Sequence, residues 1–187
     1  MHRNQGGRSW IGKAALYTLA SAVAGIVAGA ALGIVGGLLP LDIRLAVGSI
    51  LAIAAIAVGT LELFGHRMQP LQFDCETPQR WVNRGAWRWA TRNGLALGFG
   101  ATSRIGFWLW YVIPLGAFLL GDPLASGILY GTYGLVRALG AVVIVLGMMR
   151  LDKDISDWLV EGYGAARVLA AGQLVFLGVA TAIVVGL

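Results

Sequence analysis

Residues 93–149 constrain what this chain can fold into more than any other stretch. Two long apolar runs, 94–120 and 124–149, are joined by Gly121-Asp122-Pro123, a tight turn. A helix crosses a bilayer with about 20 apolar residues, so each run predicts a transmembrane helix, and the short turn makes the two antiparallel neighbours. Each carries one arginine near its middle, Arg104 and Arg137, and neither contains an acidic residue. Arg104 lies about 15 Å into its helix and Arg137 about 20 Å into the next, at 1.5 Å per residue. A guanidinium does not readily shed its proton, and a charge at such depth turns to the bundle interior or a cavity. Each arginine must therefore find an acceptor.

The polar residues around the arginines fall into stripes. Arg104, Trp108 and Tyr111 lie at i, i+4 and i+7, on one helix face. Ser126, Tyr130, Tyr133 and Arg137 form a second stripe, with Gly127, Gly131 and Gly134 beside it. A polar face inside an apolar run does not look at lipid, so the two stripes are expected to face each other or a shared cavity. Arg104, Arg137, Trp108, Tyr111, Tyr130 and Tyr133 are the candidate ligand or anion-binding residues. The bland alternative is that backbone and tyrosine oxygens satisfy the arginines and lock the helices together. Pro114 is expected to kink the first of these helices by removing a backbone bond.

Composition extends this reading to the whole chain. Charged residues make up 12% and hydrophobic residues 58% of 187 positions, against about 25% charged in soluble domains. The expected fold is an all-α polytopic membrane bundle, one transmembrane domain over 1–187. Five helices are expected near 13–37, 44–64, 94–120, 124–149 and 167–186, with an interfacial amphipathic helix near 78–92. The first helix places Gly25, Gly29, Gly33 and Gly37 four residues apart. That smooth face suits close backbone packing. Glu62 is read as interfacial, or as the partner of a buried arginine.

Within the polar segment 65–92, Thr77-Pro78 reads as a helix start. Arg80, Arg84, Arg88 and Arg92 then recur every fourth residue, with Trp81, Trp87 and Trp89 interleaved. Arginine and tryptophan in this pattern predict a helix lying on anionic headgroups. The acidic connector 150–163 lacks the glycine and terminal glutamate of a calcium-binding loop.

Eleven basic residues fall on one side of the five-helix arrangement (Arg3, Arg8, Lys13, Arg67, Arg80, Arg84, Arg88, Arg92, Arg150, Lys153 and Arg167) and only Arg44 on the other. The positive-inside rule then places the N-terminus in the cytoplasm and the C-terminus on the opposite side.

Several chemistries are excluded. Cys75 is the only cysteine and the histidines, His2 and His66, lie outside the apolar runs. An internal disulfide, a paired-cysteine redox centre and membrane-buried haem ligation are unsupported. No HExxH, GxSxG or P-loop occurs. In composition the helices, rich in glycine and alanine and ended by proline, are similar to the membrane part of thiol-electron carriers. Those use paired membrane cysteines, which no apolar run here supplies, so their activity is not carried over. The expectation is a small non-enzymatic integral membrane protein, an accessory or structural subunit of a larger membrane complex. A carrier or channel for a small anion, or a lipid- or quinone-type ligand-binding protein, are the alternatives. Membrane lipids, other membrane subunits or further copies of the chain are the expected partners. No nucleic acid, metal or cofactor is expected beyond a bound lipid.

Overall fold

The computed structural model describes residues 3–66, 68, 86–100, 107–151 and 155–187. These residues are almost entirely helical, with no strand among them. The helices are α1 (Arg3–Gly37), α2 (Leu41–Leu63), α3 (Ala86–Gly98), a 3-10 turn (Trp108–Tyr111) running into α4 (Val112–Leu120), α5 (Pro123–Leu151) and α6 (Ile155–Val185). Within α1, α2, α5 and α6, four segments are long and apolar enough to cross a membrane: Trp10–Gly37, Leu41–Leu63, Pro123–Gly147 and Gly162–Val185. Ile50, Ile53, Val136, Val143, Phe176 and Ile183 project from their outer surfaces. A soluble protein does not tolerate so much exposed aliphatic surface. The chain is an integral membrane protein.

Three kinds of local chemistry set the ends of these helices. Pro40 precedes the first residue of α2, with φ at −53°, so the second helix begins at Leu41 rather than after a turn at 41–44. Gly121 closes α4 in the left-handed region, at φ 61°, a conformation that glycine adopts without strain. Asp122 then caps α5: its Oδ1 accepts from the Ala125 N–H at 2.6 Å, and Pro123 occupies the first helical position, where no amide donor is needed.

The expected single helix at 94–120 is divided. α3 ends at Gly98, and Gly100 sits at φ 72°. Phe107 is extended, and a 3-10 turn follows it from Trp108. Pro114 is not the break. It lies in the first turn of α4, where the amide it lacks would have had no intrahelical acceptor. The expected interfacial helix at 78–92 is also changed. Residues 78–85 lie outside the described residues, and 86–92 belong to a helix that continues to Gly98 and packs on α1. Similarly, most of the expected connector 150–163 is helical, since α5 reaches Leu151 and α6 begins at Ile155.

Two antiparallel pairs organise the bundle. In the first, α1 meets α5. A Cβ placed on Gly25 would lie 2.6 Å from the Tyr130 carbonyl oxygen, on Gly33 2.6 Å from that of Asp122, and on Gly37 2.7 Å from that of Gly121. Gly29 lies directly against the Ser126 carbonyl. The four-residue glycine spacing thus brings α5 backbone onto α1 backbone, where close van der Waals contact replaces a hydrophobic drive. Two fully buried hydroxyls add bonds across elements. Ser21 Oγ donates to the Gly134 carbonyl at 2.9 Å, and Ser126 Oγ to the Ala117 carbonyl at 2.6 Å. In the second pair, α2 meets α6 where Gly59 receives Val175 and Gly178 receives Ile56.

α3 lies parallel to α1, with Gly94 on the Tyr17 carbonyl and Gly98 on that of Ser21. It stops about halfway along the Trp10–Gly37 segment. α4 completes the far half, next to Gly36 of α1 and Gly48 of α2.

Candidate ligand site

Arg137 sits on the inward side of α5, half-buried, about 15 Å from the Gly147 end of its apolar segment at 1.5 Å per residue. Its guanidinium lies over the Trp110 ring, 4.1 Å from the centroid, and 5.9 Å from the Tyr133 centroid. A side-chain hydrogen bond joins it to Tyr133, and the Tyr17 and Tyr130 phenols complete its electrostatic surroundings. None of these neighbours is a carboxylate. The aromatic rings continue as a chain: Trp110 meets Tyr133 edge-on at 5.9 Å, and Tyr133 meets Tyr130 at 5.7 Å. A desolvated cation over an indole face is worth about 2 kcal/mol or more. Phenol and indole thus supply the stabilisation that no acid provides, and they tie α5 to the 3-10 turn.

The two expected stripes therefore do not face each other. Ser126, Tyr130, Tyr133 and Arg137 all turn inward, but Trp110 meets them in place of Trp108 and Tyr111. The helical register is set afresh after Phe107, which is extended (φ −142°, ψ 144°). Trp108 and Tyr111 share one face of the 3-10 turn, their rings 5.6 Å apart, and Trp110 lies on another. Arg104 lies outside the described residues. Trp110 lies off the stripe that follows i, i+4 and i+7 from Arg104; it is expected instead, with Trp108 and Tyr111, in the wall of a lipid or quinone tail site, and the structure turns it to Arg137.

Trp108 and Tyr111 line a different space. A cavity of about 270 Å³ lies between α2, α4 and α6, half-open at the flank of the bundle. Leu51, Ala55 and Val58 form one wall, Leu115 and Leu119 a second, and Leu174, Leu177 and Gly178 a third. Its few polar groups are engaged within the protein. Thr181 Oγ1 donates to the Leu177 carbonyl at 2.8 Å and Trp108 Nε1 to that of Met68 at 3.2 Å. What remains is an aliphatic slot at mid-helix depth with two aromatic rings in its wall.

The remaining charged groups are placed at the helix ends. Arg44 Nη1 donates to the Leu120 carbonyl at 3.0 Å and reaches that of Leu119 at 3.4 Å. It caps the C-terminus of α4, where the helix dipole favours a cation. Glu62 is buried near the end of α2, and its charged neighbour is Arg167 rather than Arg137. Arg167 also donates to the His66 carbonyl at 2.9 Å. Of the expected membrane-surface residues, Arg80, Arg84 and Trp81 lie outside the described residues. Arg88 and Arg92 are exposed on α3, Trp87 is half-exposed against Gly12 and Lys13, and Trp89 turns partly inward. Comparison with known protein families, with characterised proteins and with solved structures finds no match to this chain.

Proposed function

We propose that this is a non-enzymatic integral membrane protein that holds the hydrocarbon tail of a lipid- or quinone-type ligand in the cavity between α2, α4 and α6. The observation that carries this reading is an aliphatic slot whose polar groups are already hydrogen-bonded. Such a space recognises shape and apolar surface. Small-molecule sites are typically clefts of about 300–1,000 Å³ lined by apolar and aromatic side chains, and this cavity sits at the lower edge of that range. At mid-depth in a membrane its open flank faces acyl chains. An anion carrier draws less support, because Arg137 is stacked and hydrogen-bonded rather than presented to a path. The basic residues Lys13, Arg88, Arg92 and Arg167 share one end of the bundle and Arg44 the other. In a multi-pass arrangement this favours a cytoplasmic N-terminus and a C-terminus on the opposite side.

The test is native mass spectrometry of the detergent-purified protein. The wild type is expected to retain lipid-class molecules, and Ala55→Phe, which fills the slot, to lose them at an unchanged melting temperature. Equal retention by the variant, or none by the wild type, overturns the reading.

A second reading, an accessory subunit of a larger membrane complex, is favoured by Gly140, Gly147 and Gly172. No atom of the described residues lies within 4 Å of where their Cβ would be, so another helix backbone can approach there. The glycine seam of α1, by contrast, is filled by α5. A membrane protein that stays bound in mild detergent supports this second reading, and a bare monomer removes it.

A further inference from the structure

A second pocket, of about 300 Å³, opens between the start of α1, α3 and α5. It shares no lining residue with the tail cavity and has a different chemistry. Lys13, Trp10 and Tyr17 contribute from α1, Trp89 and Asn93 from α3, and the aliphatic wall comes from Ala141 to Val145 of α5. Among the described residues no carboxylate lines it. The Trp89 Nε1–H is shielded from solvent and has no acceptor among the described residues. Lys13 makes only a loose cation–π approach to Trp87, at 6.0 Å. Behind the pocket, Tyr17 stands within electrostatic range of Arg137. Arg88 lies outside it, on the exposed side of α3.

We infer that this pocket binds a phosphate oxyanion, with Lys13 as its cation and Trp89 offering an N–H. Positive charge without a local acid favours an anion, and a lysine ammonium serves phosphate as a point charge. Two tryptophans with a lysine at the end of an apolar helix are the residues of a membrane–water boundary. The aliphatic wall of α5 continues toward mid-depth and offers a path for a chain attached to the phosphate. The phosphate can therefore come from a lipid headgroup or from solution. The inference is independent of the tail cavity and survives its failure.

Thermal unfolding of the purified full chain tests it, with short-chain phosphatidylglycerol, short-chain phosphatidylcholine and inorganic phosphate as probes. Phosphatidylglycerol is expected to raise the melting temperature more than phosphatidylcholine. A shift reproduced by inorganic phosphate alone supports the site and assigns it to the free anion. Lys13→Gln is expected to weaken phosphatidylglycerol affinity about ten-fold, the effect of one charge-assisted contact, and Lys13→Arg to retain it. Trp89→Phe keeps the ring, removes the donor and weakens affinity by a smaller factor. Arg88→Gln removes an equal charge outside the pocket and leaves affinity unchanged. If neither phosphatidylglycerol nor inorganic phosphate stabilises the protein, or if Arg88→Gln costs as much affinity as Lys13→Gln, the inference is wrong.

Discussion

Where α1 meets α5, the α1 glycines rest directly on carbonyl oxygens; where α2 meets α6, a side-chain carbon is nearest and the carbonyl oxygens of Ala171 and Ala52 stand a little farther, 2.9 Å and 3.0 Å from a Cβ on Gly59 and Gly178. A Cβ on Gly29 would strike the Ser126 carbonyl and come within 2.6 Å of Tyr130 Cβ, whereas on Gly178 it would first meet Ile56 Cγ1 at 2.8 Å. Backbone cannot move without shifting a whole helix, so the first interface, where the facing carbonyls stand nearer, is the tighter. The second is looser by a few tenths of an ångström, and the tail cavity lies on its side of the bundle. Both use the same residue type, so glycine spacing alone does not distinguish them. What distinguishes them is how near the facing backbone stands.

The largest expected effect is at Gly29. Gly29→Ala gains up to about 1 kcal/mol of helix propensity but overpacks a backbone contact. A net loss of about 2–3 kcal/mol is expected, the upper part of the overpacking range, read by unfolding in detergent. A loss no greater than that of Gly178→Ala would break the contrast. Next is Trp110→Leu, which removes the face beneath Arg137 and is expected to cost about 1–2 kcal/mol. A double-mutant cycle with Arg137→Met sharpens the point: the coupling should account for most of that loss. A vanishing coupling would show that Trp110 acts only by filling space. The smallest effect is at Gly178, where Gly178→Ala is expected to cost about 1 kcal/mol, because the Ala52 carbonyl stands 3.0 Å from the new Cβ and helix propensity offsets part of the overpacking.

The four long spans are legible because hydropathy over 18 or more residues has few competing explanations. The α1 seam is legible because small residues at every fourth position form one face. The division of 94–120 is harder to see, because composition stays apolar across it and the proline, the obvious breaker, lies in a harmless place. The useful signal is the cluster Gly98, Gly100, Thr102, Ser103 and Gly106, an interruption of glycine and hydroxyl residues inside an apolar run. Of the candidate site, Tyr130, Tyr133 and Arg137 could be grouped from spacing, since α5 is an unbroken helix. Trp110 could not, because the register of the turn at Trp108–Tyr111 is not continuous with that of the helix ending at Gly98. Arg44 resisted for another reason. Its partners are the terminal carbonyls of a helix 75 residues away, and no sequence pattern marks a long-range cap.

The halfway helix α3 has a consequence for how the protein is made. Its described residues, Ala86–Gly98, carry Arg88, Arg92 and Asn93, which makes them costly to bury in a bilayer unaided. It is held by Gly94 and Gly98 lying on the α1 backbone. Its depth in the bilayer is therefore imposed by α1. Synthesis from the N-terminus delivers α1 before α3 emerges, so the surface is in place before the segment that needs it. Biogenesis of this bundle has a required order, with the first helix acting as a template for a later one.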